Sequence, residues 1–513
     1  MYLSKRGFVI KKDHIEKRIL EEIKEELWAK PLVNENCAFK QNKTDFPVYI
    51  DTRNKLYIPK MYGISKFGVP EIKLENYVGQ VLDEGKCNFV GKLYDNQVEP
   101  VQILLDACEN KGGGVLSVNT GGGKTFMCLY ALSKLRGKAI VVVKTIPLMH
   151  QWVEEIKTFL PNIKVGILQG SKTDTDTKNE EIKSCDIVVA MLQSLSLINY
   201  PDSFFEDFRV SVFDEVHNIS TTNFSKVMFK LCSRYTIGLS ATPQRADGCE
   251  YVFKWHIGEV VYTSKTVRDG KKPIIRTLRL TSSEYKEINS INKWTGVKTL
   301  QFTSMLSELV NMKNRNRLIV NVIVDLVKEG RKILVLSDRR NHLNSLKEIL
   351  DNNSTITFTY GLFLGNMKQQ DLDSSRAKSV ILATYAAFSE GVSEKDLDTL
   401  LLITPKKYIS EYSNSTKNES GKLQQIVGRI FRKEHVIRSP MIIDLFDNFS
   451  LYKAQSATRR LFYKEHFKDA TFQSCWLNID DSVYTKDIKY SKTNEVEPDT
   501  KPTKNITEYC ILD

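Results

Sequence analysis

Two short runs in this sequence carry residue types suited to phosphate chemistry. The first is Val118-Asn119-Thr120-Gly121-Gly122-Gly123-Lys124-Thr125, which closes an apolar stretch and opens a helical pattern. Its glycines let backbone N–H groups approach phosphate oxygens, and a helix starting at Lys124 adds the positive end of its dipole. Thr120, Gly121, Gly122 and Gly123 would cradle the phosphates, Lys124 would reach the β- and γ-phosphates, and Thr125 would hold Mg2+. Val118 stands where the full phosphate-loop pattern has glycine. The second run is Val210-Ser211-Val212-Phe213-Asp214-Glu215-Val216-His217, an apolar strand candidate ending in two adjacent acids. Open parallel sheets bind ligands at that end of their strands. Asp214 is then the Mg2+ carboxylate, and Glu215 the base that orients and deprotonates the attacking water. A lone Asp-Glu pair after a strand is usually a solvated turn. Downstream of a phosphate-loop lysine, with several strand candidates between, it reads as a catalytic pair.

These runs need a scaffold, and the pattern around them supplies one. Short apolar runs alternate with helical periodicity. Strands are expected at Val115–Val118, Ala139–Val143, Val165–Leu168, Ile187–Met191, Val210–Asp214 and Ile237–Leu239, with helices at Lys124–Leu135 and Leu148–Phe159. The rhythm restarts with strands at Lys332–Ser337, Thr355–Tyr360, Val380–Thr384, Thr399–Ile403 and Met441–Leu445, and helices at Leu318–Lys328, His342–Leu350 and Leu423–Arg432. Alternating β and α argues parallel sheets covered on both faces. The expected fold class is α/β: two tandem parallel-sheet domains, a small α+β N-terminal module and a polar C-terminal tail. The boundaries read as 1–90 for the accessory module, 91–265 for the nucleotide-binding domain, 266–305 for an irregular linker, 306–455 for the second domain and 456–513 for a largely disordered extension.

With both runs placed, the chain resembles the superfamily 2 helicases of the DExH type. Asp214-Glu215-Val216-His217 is the box that gives the type its name. Ser240-Ala241-Thr242 and Gln425-Ile426-Val427-Gly428-Arg429-Ile430-Phe431-Arg432 follow in family order. Weaker matches are Tyr94-Asp95-Asn96-Gln97, Lys144 to Leu148 with Gln151-Trp152, Met191 to Ser194, and Thr384 with Ser389-Glu390-Gly391. The resemblance covers about residues 91–455. It implies two RecA-like domains, ATP and Mg2+ as cofactors, and nucleic acid as partner. It assigns Gln97 to adenine, Gly391 to nucleotide binding, Ser240 and Thr242 to coupling, Gln425 to the γ-phosphate or the attacking water, and Arg429 and Arg432 to the γ-phosphate, whose spreading charge a cation from a second domain stabilises. The fifth motif departs from its usual form, with Ser393 where aspartate is common.

The run Thr242-Pro243-Gln244-Arg245-Ala246-Asp247-Gly248 resembles the DNA-directed branch, which includes the transcript-release helicase of large DNA viruses. That branch implies DNA as partner, with RNA as the alternative, and RNA polymerase or other transcription proteins nearby. A remodelling factor that displaces a polymerase without separating strands is a further alternative. Sequence-independent tracking needs a handle on the phosphodiester backbone. Thr145, Gln193 and Ser194 in the first domain and Arg339 and Thr384 in the second are the nominees, each with a plain turn role as the competing reading. Lys406-Lys407 and Arg459-Arg460 read as solvated charge before any groove role. Trp294 and Phe302 read as packed core before any stacking wedge.

Composition sets the remaining bounds. The chain has 513 residues, with 74 Lys and Arg against 62 Asp and Glu, a net charge of +12. That excess suits an anionic partner and a merely basic soluble protein equally. No window approaches roughly 18 consecutive apolar residues, so no membrane partner is expected. The nine cysteines form no C-x-x-C pair, so free thiols, no zinc and an intracellular reducing compartment are expected. For a viral member that compartment would be the host cytoplasm or the viral factory, with packaging in the virion as an option.

Overall fold

The computed structural model describes the chain except residues 33–44, 72–74, 120, 171–180, 199, 242, 246, 265–270, 292–297, 355, 390–395, 407–425, 432–437, 481–490 and 493–513. It divides into two compact units, one spanning most of residues 1–265 and one spanning 266–513.

The first unit is built on a seven-stranded, wholly parallel sheet. Its strand order is Val260–Thr263, Gly113–Ser117, Tyr235–Ser240, Val210–Asp214, Ala139–Val143, Ile187–Met191 and Val165–Leu168. Apolar runs such as Ala139-Ile140-Val141-Val142-Val143 are buried throughout, as a sheet covered on both faces requires. Alternation splits each run between two cores. Val141 and Val143 face the layer holding Leu132 and Trp152, while Ile140 and Val142 face Phe204 and Phe213. The helices Lys124–Leu135 and Ile146–Phe159 lie between successive strands in the chain.

Residues 1–67 add a four-stranded antiparallel sheet, Tyr2–Ser4, Gly7–Lys11, Lys55–Ile58 and Ile50–Asp51. The helices Lys17–Glu26 and Lys60–Phe67 accompany it, and Phe8, Ile10, Leu20, Ile23 and Leu56 form its core. This module belongs to the same compact unit as the first parallel sheet. Lys60, 1 % exposed, ties the two together. Its Nζ lies 2.8 Å from the Gly112 carbonyl, 3.0 Å from that of Ser233, 3.1 Å from Thr236 Oγ1 and 3.3 Å from the Arg234 carbonyl. A buried ammonium is tolerated only with such a ring of acceptors. Nothing in the pattern around Lys60 marks it from the other lysines.

The second unit is an eight-stranded sheet, ordered Tyr360–Phe363, Val380–Thr384, Ile333–Ser337, Thr399–Leu402, Met441–Asp447, Ile274–Thr281, Thr471–Asn478 and Ser491–Lys492. All neighbours are parallel except the last pair. Two expectations need correcting here. The stretch 266–305, read as a linker, contributes Ile274–Thr281 as an interior strand. The stretch after 456, read as a tail, contributes most of the helix Ser450–His466 and the strand Thr471–Asn478. Arginines in Ile274–Thr281 disguised it. Arg276 donates to Gln473 Oε1 at 2.7 Å, and the Arg279 guanidinium lies 5.2 Å from the Trp476 ring and 5.8 Å from that of Phe446. The Thr355–Tyr360 strand is displaced to Tyr360–Phe363, where it pairs with Val380–Ala383.

Candidate nucleotide site

The phosphate loop follows the Gly113–Ser117 strand, and the Val118 N–H continues the ladder by donating to the Ser240 carbonyl at 3.0 Å. Gly121 and Gly123 have φ of +89° and +82°, a region in which a side chain is strained. At Gly123 the conformation calls for glycine, and a Cβ there would also stand 2.4 Å from Gln97 Nε2 and push that side chain aside. Val118, the departure from the full pattern, is buried under the loop, and a Cβ on Gly122 would meet its Cγ1 at 2.5 Å. The helix then starts at Lys124, with Thr125 in its first turn.

Gln97 is 6 % exposed. Its Oε1 accepts the Tyr94 N–H at 3.1 Å, and its Nε2 donates to the Gly122 carbonyl at 3.3 Å. The glutamine therefore braces the phosphate loop from behind. Tyr94, 73 % exposed, precedes it.

The acidic pair ends the Val210–Asp214 strand, one strand beyond Tyr235–Ser240 from the phosphate-loop strand. Asp214 Oδ1 accepts the Glu215 N–H and Oδ2 accepts the Trp152 indole N–H, both at 2.9 Å. Burial, and secondarily the negative charge of Glu215, push the Asp214 carboxyl up to about 6. Glu215 is a non-glycine residue at φ +50°, a strained position typical of working sites. That turn sets its Oε1 3.5 Å from Lys124 Nζ. His217 Nδ1 lies 3.2 Å from Ser240 Oγ and 3.5 Å from Glu215 Oε2, and burial lowers its pKa, keeping the ring neutral. Hard oxygen donors on Asp214 and Thr125, beside a lysine, fit Mg2+ bound with a triphosphate.

Arg245 completes the local frame. Its Nε and Nη2 bind Asp247 at 2.9 and 2.7 Å, and its Nη1 donates to the His217 carbonyl. The Arg-x-Asp of the Thr242–Gly248 run thus clamps the acidic motif, a role the sequence pattern did not reveal. Trp152 was legible as part of a motif, but its bond to Asp214 was not.

Of the groove nominees, Thr145 and Gln193 lie at the C-terminal ends of adjacent strands. Thr145 Oγ1 and Gln193 Oε1 have no hydrogen-bond partner among the described residues, and Gln193 Nε2 donates to the Lys144 carbonyl at 3.0 Å. Ser194 is turned inward, buried, with its Oγ accepting the Gly170 N–H at 3.4 Å. In the second unit Arg339 occupies the N-cap position of the helix Arg340–Asp351, and its Nε is buried without a partner among the described residues. Thr384 Oγ1 accepts the Ala387 N–H at 3.3 Å. Arg459, read as solvated charge, is wholly buried. It binds Asp444 through Nε and Nη2 at 2.8–3.0 Å. Lys406 pairs with Asp338 at 3.0 Å, and Phe302 packs edge-on against Tyr452. Thr120, Thr242, Trp294, Gly391, Gln425 and Arg432 lie outside the described residues, as does the side chain of Arg429.

A parallel sheet carrying a phosphate loop, whose Lys124 faces the Asp214-Glu215 pair at the end of another strand, defines a P-loop nucleoside triphosphatase. Residues 91–245 match the family described as "Type III restriction enzyme, res subunit". The mimivirus protein named "Putative ATP-dependent RNA helicase L396" is 32 % identical over 468 residues, covering 90 % of this chain and 85 % of that protein. "Putative helicase 161L" of invertebrate iridescent virus 6 is 28 % identical, over 74 % and 82 %. "Putative ATP-dependent RNA helicase QP509L" of African swine fever virus is 26 % identical, over 71 % and 72 %. The chain belongs to the superfamily 2 helicases, alongside these viral members, and is an ATP-hydrolysing enzyme.

Proposed function

We propose that this helicase moves on or unwinds DNA, in viral transcript release and termination or in genome processing, with RNA polymerase or other transcription proteins as partners. The observation that carries the nucleic-acid part is a pair of buried oxygens, Thr145 Oγ1 and Gln193 Oε1, without a hydrogen-bond partner among the described residues, at adjacent strand ends. A backbone-tracking motor needs small polar groups of this kind. The hydroxyl of Thr145 can donate to a phosphate oxygen, and the Gln193 carbonyl oxygen suits a bridging water. DNA is favoured by the resemblance of the Thr242–Gly248 run to the DNA-directed branch. RNA is the second reading, favoured by the names of two relatives.

In the reaction, the phosphate-loop amides and Lys124 orient the triphosphate, and Glu215 accepts the proton of the attacking water. Mg2+, held by Asp214 and Thr125, would neutralise charge on the β- and γ-phosphates. Gln425, Arg429 and Arg432 are assigned to the same ATPase reaction, and Ser240 with Thr242 to its coupling. ATP hydrolysis by the purified chain, measured alone and with single-stranded DNA, duplex DNA or RNA, tests the reading. Strong stimulation by DNA, absent in Lys124→Ala, supports it. Stimulation by RNA alone installs the second reading.

A further inference from the structure

Trp152 is wholly buried in an apolar core, yet its indole N–H is directed at the carboxylate assigned to the metal. A buried indole N–H needs an acceptor, and Asp214 Oδ2 at 2.9 Å is the one this fold gives it. Trp152 lies midway along the helix Ile146–Phe159, whose N-cap is Thr145, and the buried Thr145 hydroxyl has no partner among the described residues. Seven residues of helix, about 10 Å at 1.5 Å per residue, therefore separate a candidate phosphate contact from the metal carboxylate. Met149 and Ile156 are buried on either side of Trp152, so the helix cannot shift at one end and leave the indole behind.

We propose that Trp152 is a positioning residue that couples nucleic-acid engagement at Thr145 to the placement of Asp214. The inference rests on the groove reading above. It is a second route to the ATP site, separate from the Ser240–His217 contact. The helix carries a displacement at its first turn, and the indole N–H hands it to one carboxylate oxygen while the Glu215 N–H holds the other. Coupling of this kind is reciprocal, so bound nucleotide must alter nucleic-acid affinity by the same factor.

Two measurements on the full chain test it. The first is the affinity for a fluorescent single-stranded oligonucleotide, with and without Mg2+ and a non-hydrolysable ATP analogue. The unmutated chain should show a coupling factor of about 5- to 150-fold. Trp152→Phe keeps an aromatic ring but removes the donor, and should bring that factor close to one. An unchanged coupling factor in Trp152→Phe overturns the proposal. The second measurement needs no variant: hydrogen exchange in the unmutated chain, with oligonucleotide and no nucleotide. Peptides from residues 144–156 and 210–217 should respond together. A response at 144–156 with none at 210–217 overturns the coupling, even if Trp152→Phe fails to fold. No response at 144–156 while oligonucleotide is bound overturns the groove reading, and this inference with it.

Discussion

Lys124 Nζ stands 3.5 Å from Glu215 Oε1, so the phosphate-binding cation and the proposed base hold each other from strand ends separated by the Tyr235–Ser240 strand. Triphosphate binding would draw the lysine toward phosphate oxygens and release the glutamate for water. Glu215→Gln keeps the shape and hydrogen bonding of the side chain but cannot take a proton. Nucleotide affinity should be kept or improved, while turnover falls by roughly 10²- to 10⁴-fold, the usual worth of a general base. Equilibrium nucleotide binding set against phosphate release reads both. Full turnover would remove Glu215 from the role.

Asp214 costs the fold stability when it is charged and no metal is present. Its folded-state pKa is raised to about 6, above the roughly 3.9 of an unfolded aspartate. Its contribution is therefore fully present below about pH 4 and is lost as pH rises through about 6. With a chelator present, Asp214→Asn should stabilise the first unit by about 1–3 kcal/mol at pH 7.5 and by nothing measurable at pH 4, while abolishing ATP hydrolysis. Denaturant midpoints at the two pH values check the sign.

Two buried histidines have the opposite dependence. His342 bridges Ser337 Oγ at 3.0 Å and Asn316 Oδ1 at 2.9 Å. Asn316 Nδ2 donates to the Val310 carbonyl, so Oδ1 accepts and the imidazole proton sits on Nε2. Burial lowers the pKa of His342 to about 3, and that of His256 in the first unit likewise. The unfolded chain binds these protons below about pH 6.5 and the folded chain does not. Stability should fall as pH drops from about 6.5 towards 3, by about 1.4 kcal/mol per pH unit for each histidine. His342→Gln should flatten the acid limb of the second unit's urea midpoint and leave that of the first unit unchanged.

Much of the first unit was legible because its strands are apolar on both faces. Ala139–Val143, Val165–Leu168, Ile187–Met191 and Val210–Asp214 lie where hydrophobic runs put them. The phosphate loop and acidic pair were legible because their chemistry tolerates few residue types. What escaped was held by polar groups whose partners are distant in sequence. Ile274–Thr281 contains two arginines that only Gln473, Phe446 and Trp476 explain. Lys60 is a buried docking post that reads as one lysine among many. Arg245 looked like a branch marker and is a clamp.

Arg459 makes the sharpest case. As half of an Arg-Arg dipeptide it reads as exposed charge, and truncating a surface ion pair costs about 0–1 kcal/mol. In the fold it is wholly buried, bound to Asp444 at 2.8–3.0 Å and to the Lys406 carbonyl at 2.7 Å, and the Tyr463 hydroxyl donates to the same carboxylate at 3.2 Å. Arg459→Met removes the guanidinium and leaves Asp444 buried with one donor from that group. The expected loss is about 3–5 kcal/mol, the cost of breaking a buried pair. Arg459→Met combined with Asp444→Leu removes both charges and should recover most of that loss. Denaturant unfolding of the two variants beside the unmutated chain measures it. A loss under about 1 kcal/mol in the single variant would return Arg459 to the solvated role its sequence suggested.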